Sequence, residues 1–193
     1  QKQTHLGPGF FLTHRITYST PDDATIGCLT ASVFHFTPRP VESVPHPLTP
    51  PPTPPARPVA AAAIRLASGV ECGPVVVPVT PTQIIAGALA TRDFYPVHHD
   101  RDFARAHGNA DFLMNILTTN GLLARVVAEW ADQAPLRRLR TRLVAPAYAH
   151  DELIMTGQVT QAGPDGAEFT VRAALGSGGV HAEATAWVEP RPA

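Results

Sequence analysis

The sequence predicts an α+β fold in which a curved antiparallel sheet wraps one long central helix. Three observations carry this. From Leu113 onward, Leu113, Ile116, Leu117, Leu123, Val127 and Trp130 recur at helical spacing, and Met114, Leu122 and Val126 widen the stripe until most of the circumference is apolar. A helix with so little polar surface has to be enclosed by sheet. After it, strand-length segments follow one another between Gly- and Pro-rich turns, and before it lies an extended, valine-rich entry.

Taken in order, residues 9–36 read as two strands around a turn. Phe11, Thr13, Arg15 and Thr17 alternate along the first, Pro21-Asp22-Asp23-Ala24 supplies the turn, and the second runs from Ile26 to Phe36. A two-stranded hairpin is marginally stable in water, so this one is expected to dock on a later domain or on a partner. Residues 38–58 carry ten prolines, a density that forbids helix or central strand and reads as a polyproline-II linker. The expected division is therefore a partial domain over 1–37, a linker over 38–74 and the main domain over 75–193. Val75 to Val79 and Thr82 to Leu89 are both expected to be extended. Asp100 is placed to cap a short helix over 101–107 that Gly108 stops; Asn115 is the candidate cap of the long helix, and Pro135 follows its end. Strands are expected over 138–143, with Arg138, Arg140 and Arg142 sharing one face, and over 152–160, 168–175 and 179–189. One buried helix with this sheet makes the hotdog arrangement.

Charge and cysteine content narrow the function classes. Fifteen Lys and Arg against sixteen Asp and Glu leave a net charge of −1, without the basic stripe that phosphate-backbone binding requires, so nucleic acid is not the expected partner. Cys28 and Cys72 stand apart from any Cys/His spacing that would suggest zinc or a disulfide framework, and a reducing cytoplasm fits them. No run of about 18 apolar residues suggests a membrane span. The sequence enters strand patterning within a few residues of Gln1, which suggests a piece of a longer polypeptide.

The stretch with chemical content is Asp93-Phe94-Tyr95-Pro96-Val97-His98. Alone, an Asp ahead of a proline turn is a common turn residue. With a capped helix and a wrapping sheet downstream it gains a second meaning, because Pro96 bends the chain and lets the carboxylate and the imidazole converge as a general acid/base pair. His99, His107 and His150 occupy packing, helix-end and loop positions where solvent is the default.

Asp93-x-Tyr95-Pro96-Val97-His98 resembles the Asp-x-Asn-Pro-hydrophobic-His motif of the MaoC-like (R)-specific enoyl-CoA hydratases, with Tyr95 in the usual Asn position. Arg142 to Pro146, Asp151 and Gly157-Gln158-Val159 are similar to the family's strand, loop and strand after the central helix, with Tyr148-Ala149-His150-Asp151 in place of its Pro-Gly-Asp loop. More narrowly, Ala88 to His99 and Asn115-Ile116-Leu117-Thr118 resemble the catalytic small subunit of the heteromeric steroid side-chain enoyl-CoA hydratases of actinobacteria. Residues 2–38 look like the closing strands of the partner subunit's hotdog domain.

The resemblance implies syn hydration of a trans-2-enoyl-CoA, a steroid side-chain thioester among the substrates, without a metal or redox cofactor, coenzyme A being part of the substrate. It implies Asp93 and His98 as catalytic residues, a backbone N–H at the start of the central helix as oxyanion donor, here within Asn115-Ile116-Leu117, and Tyr95 as a pocket residue. It also implies a second hotdog subunit, a copy of this chain or a different one. Two rivals share the fold: an acyl-carrier-protein dehydratase or thioesterase, and a non-catalytic, substrate-binding half of a hydratase. The last predicts a missing Asp or His, and both are present.

Overall fold

The computed structural model describes residues 2–4, 7–37 and 66–189, and the chain divides into two compact units, residues 1–43 and 44–193. Residues 38–65, most of the expected linker, lie outside the described residues. Among the described residues no helix is long and apolar enough to cross a membrane.

The first unit is a three-stranded antiparallel sheet in the order β1 (Lys2–Thr4), β2 (Gly7–Ser19), β3 (Thr25–Phe36). The expected hairpin is there, and β1 adds a strand that composition did not suggest. Its turn is closed by Thr20, whose backbone N–H and hydroxyl both donate to Ala24 O, with Asp23 at φ 65°. Cross-strand pairs set the register: Thr13 and Ser32 hydroxyls lie 2.7 Å apart, and the Phe11 and Phe34 rings pack at 4.8 Å.

The second unit encloses its apolar helix as that composition requires. The elements run β4 (Glu71–Pro78), α1 (Pro81–Ala90), a 3₁₀ turn over Pro96–His98, α2 (Arg101–Ala106), α3 (Ile116–Trp130), β5 (Leu136–Leu143), β6 (Glu152–Gly163), β7 (Gly166–Leu175) and β8 (Val180–Val188). The five strands form one antiparallel sheet in the order β4-β6-β7-β8-β5. Leu122, Leu123, Val126, Val127 and Trp130 of α3 are buried, and Met155, Val159, Phe169, Val171 and the alanines Ala173, Ala182, Ala184 and Ala186 complete the core. Small residues on β7 and β8 let a bulky helix come close. Under the Trp130 indole only Gly157 fits, since a Cβ there would lie 2.7 Å from both Trp130 Cζ3 and Thr170 O. The sheet and its enclosed helix are the hotdog arrangement expected from the sequence.

Two boundaries differ from expectation. β4 begins at Glu71, ahead of the expected domain start at 75. Residues 82–89, expected to be extended, are helical: Thr80 caps α1 by accepting from Gln83 N at 3.1 Å, and Pro81 stands at the first helical position. The cap and the proline outweigh the β-branched Ile84 and Ile85. Gly87, a poor helix former, is where α1 meets α3, because a Cβ there would run into the Thr118 side chain.

One ionisable side chain sits deep in this core. His181, at the start of β8, is 1% exposed; its Nδ1 lies 2.7 Å from Ala145 O and its Nε2 2.9 Å from Thr119 Oγ1. Burial pushes its pKa below the ordinary imidazole value, with the Ala145 carbonyl and the Asp151 charge opposing. An unfolded His181 binds a proton near pH 6.5, and the folded one only at lower pH. The unfolded state therefore holds more protons in that window, and stability is full above about pH 6.5 and declines below it. Urea midpoints recorded from pH 7.5 to 5 should fall through this window in the wild type and fall less steeply in His181→Gln.

Candidate active site

Asp93 is set by the way α1 ends. Arg92 takes the left-handed conformation, φ 56°, which turns the chain so that Arg92 N bonds to Leu89 O at 3.1 Å and Asp93 N to Ala88 O at 2.9 Å. This is the paired closure of a Schellman motif, with arginine at the position that glycine usually fills. The carboxylate is thereby held at the exit of a helix by backbone bonds.

His98 is set by the 3₁₀ turn that Pro96 opens. Its backbone N–H donates to Tyr95 O at 3.1 Å, and the buried Val97 anchors the turn. Leu113 then clamps the segment twice, its N–H donating to Val97 O at 3.0 Å and its carbonyl lying 2.7 Å from His98 Nδ1. A carbonyl only accepts, so Nδ1 carries a proton and Nε2 is the nitrogen turned away from the backbone. Nε2 lies 3.2 Å from Asp93 Oδ2. The two side chains that the sequence proposed as a pair do converge, Asp93 with 30% of its side chain exposed and His98 with 10%.

Asn115 ties the pair to the central helix. Its Oδ1 caps α3 by accepting from Thr118 N at 2.9 Å, while its Nδ2 donates to Asp93 Oδ2 at 3.1 Å and to Thr91 Oγ1 at 2.7 Å. Thr91, at the C-terminus of α1, donates in turn to Gly87 O at 2.7 Å. Asn115 itself is buried, 2% exposed, while Thr91, Asp93 and Thr118 around it are partly so. Asn115, expected as the cap of the helix, is that cap and also the donor to the Asp93 carboxylate. Asp93 Oδ2 thus faces both His98 Nε2 and the Asn115 amide, and the Asp93 side chain stays partly exposed. The cap engages Thr118 N, and Thr119 N opens the intrahelical ladder on Asn115 O; the N–H groups of Ile116 and Leu117 precede it at the helix N-terminus.

Ile116 is partly exposed there, and Phe94 and Tyr95 are more so. The Tyr95 ring stands edge-on to Phe103 at 5.7 Å. Asp100 caps α2 through Phe103 N at 2.9 Å, and His99 is exposed. Arg140 and Arg142 edge an open groove of about 880 Å³ across the sheet that also includes Arg172, Thr156 and Thr185 but neither Asp93 nor His98. Sequence reasoning missed the Leu113 carbonyl and Thr91. A backbone acceptor leaves no trace in residue identity, and Thr91 has no pattern beyond its position before Arg92. Among the described residues no cluster of three or more His, Cys, Asp or Glu could hold a metal ion.

Residues 70–176 match the family model for the MaoC like domain. Over 81 residues the chain is 49% identical to the 3-oxo-4,17-pregnadiene-20-carboxyl-CoA hydratase beta subunit of Mycobacterium tuberculosis, a match that takes in 42% of this chain and 63% of that protein's length. The crystal structure of the ChsH1-ChsH2 complex from Mycobacterium tuberculosis superposes with a TM-score of 0.63 at 37% identity, covering 66% of this chain and all of that one. A MaoC-like dehydratase superposes over 95% of this chain and 65% of its own, with a TM-score of 0.75 at 18% identity, a likeness of fold.

Replacing Asn115 separates its two duties. Asn115→Ala should lose about 1–2 kcal/mol of stability through the missing cap, whereas Asn115→Ser, which keeps a capping oxygen, should recover most of that loss in chemical denaturation while still lacking the amide donor to Asp93.

Proposed function

The chain belongs to the family of MaoC-like domains, and we propose on that premise that it adds water to a trans-2-enoyl-CoA thioester, with Asp93 and His98 as the acid/base pair. The observation that carries this is the 3.2 Å contact between Asp93 Oδ2 and a His98 Nε2 whose ring is fixed by Leu113 O. A carboxylate and an imidazole face each other, the carboxylate being the more exposed of the two. In the proposed reaction a water attacks the β-carbon while Asp93 Oδ1 takes its proton; the double-bond electrons move toward the thioester oxygen, and a proton from the pair is returned to the α-carbon on the same face. The pair ends as it began. The N–H groups of Ile116 and Leu117 at the start of α3 meet the charge that develops on the thioester oxygen, helped by the helix dipole. Tyr95 and Ile116 are the proposed acyl contacts.

The substrate class follows from the relative named above, a hydratase subunit acting on a pregnadiene carboxyl-CoA; a bulky steroid side-chain thioester suits the large apolar residues Leu89, Phe94 and Ile116 exposed in this unit. The partner is proposed as a second hotdog subunit, since one relative is a beta subunit and the other a two-component complex. We read residues 1–37 as the closing strands of a further hotdog domain, followed by a linker and the hydratase domain. A likeness of fold over 95% of the chain supports this. The chain acts in the cytoplasm on this reading.

Asp93→Asn and His98→Ala should each lower the hydration rate by about 10²- to 10⁴-fold, followed as loss of enoyl absorbance with crotonyl-CoA and with a steroid enoyl-CoA. Release of free thiol at the same rate would instead identify a thioesterase. The native mass of the purified protein should exceed that of the 20.6 kDa chain; a monomer with full activity would remove the partner from the scheme.

A further inference from the structure

Both members of the Asp93–His98 pair are held by groups that belong to other parts of the unit: Asp93 by the Asn115 side chain, His98 by the Leu113 carbonyl. Those two groups stand at one junction, where the 112–115 segment enters α3. Two things fix the junction. Along the chain, it is continuous with the first turn of α3, where Thr119 N donates to Asn115 O at 3.1 Å. Alongside it runs the segment 144–149, which pairs with it through Met114 N to Ala147 O at 2.9 Å, Ala149 N to Phe112 O at 3.3 Å and a bridge between Leu113 and Tyr148.

His181 is the side chain that joins these two supports. Its ring spans from Thr119 Oγ1 to Ala145 O, and its own carbonyl accepts from Val144 N at 2.8 Å and Ala145 N at 3.3 Å. We propose that His181 and Thr119 are positioning residues of the acid/base pair, locking the first turn of α3 to the 144–149 segment so that Asn115 and Leu113 O are presented at a fixed separation. The proposal rests on the reading of Asp93 and His98 as that pair.

The chemistry of the link favours this role over simple filling of the core. Ala145 O only accepts, so His181 Nδ1 carries the proton and Nε2 accepts from the Thr119 hydroxyl. In the neutral ring every polar atom is then used, and the bond from Thr119 fixes which face of α3's first turn points at β8. An apolar side chain of equal volume would fill the space without setting that rotation. A deviation of about 1 Å in a catalytic group can cost about 100-fold in rate, so a tie acting one helical turn from Asn115 is placed to matter. Thr119 and His181 touch neither Asp93 nor His98 in any contact given above.

Thr119→Val, which keeps the shape and removes the hydroxyl, tests this in the full-length chain, with Thr119→Ser as the conservative rescue. Two readouts are taken. In hydration assays Thr119→Val should lose about tenfold or more in kcat with KM little changed, and Thr119→Ser should stay within about threefold of the wild type. By ¹⁵N NMR of the imidazoles, the wild type should show the Nδ1–H tautomer at His181, and Thr119→Val should shift the His98 ring nitrogens while Thr119→Ser does not. A Thr119→Val that melts lower yet keeps wild-type kcat and His98 signals would reduce the link to a structural one and overturn the proposal. An Nε2–H tautomer at His181 in the wild type would overturn it without any variant. If the wild type hydrates no enoyl-CoA, the function reading fails while the His98 signals still decide whether the link positions that ring.

Discussion

The side chain of Asn115 is the constraint on which the rest of this site depends. Its oxygen points into the first turn of α3, where it accepts from Thr118 N, a donor that no intrahelical carbonyl reaches. Once the oxygen is committed, the amide nitrogen is aimed the opposite way, at Asp93 Oδ2 and Thr91 Oγ1. The cap of the longest helix and the orientation of the acid are therefore one decision. Thr91 and Gly87 extend it into α1, so the helix that delivers Asp93 and the helix that lies beneath it are braced against each other where their ends meet.

The same economy governs the histidine. Leu113 supplies both a donor and an acceptor to the Pro96–His98 turn, so the ring cannot rotate without losing a backbone partner as well. That keeps a proton on Nδ1 and turns Nε2 toward the acid. The carboxylate meets both His98 Nε2 and the Asn115 amide on one oxygen, Oδ2. Each group has one atom tied to the scaffold, His98 Nδ1 to Leu113 O and Asp93 Oδ2 to the Asn115 amide.

Around this junction the sheet contributes size more than chemistry. Alanines along β7 and β8 and the glycine under Trp130 bring α3 down onto the strands, and His181, entering from β8, meets Thr119 of α3 as a buried polar pair in that largely apolar interface. Its ring reaches the turn of α3 that follows Asn115 and the segment that pairs with Leu113. The core thus ends in a polar bridge on the side where the acid and base stand.

The sequence by itself determined the central helix, the sheet around it and the candidate acid/base pair. The apolar circumference of 113–130 demanded enclosure, the alternating segments after it supplied the enclosure, and an acid and a histidine around a proline could be picked out because residue type, spacing and turn chemistry are local properties. Where local rules competed, sequence reasoning failed: residues 82–89 carry β-branched isoleucines and a glycine, yet the Thr80 cap and Pro81 make them helical, and the reason for Gly87 is a side chain thirty-one positions away. Only the tertiary structure decided that Asn115 serves the carboxylate, that Leu113 O holds the imidazole, and that Thr119 and His181 meet. These contacts join residues 15 to 62 positions apart through backbone atoms or single polar groups, and such pairings carry no periodicity; they exist only once the sheet has closed around the helix.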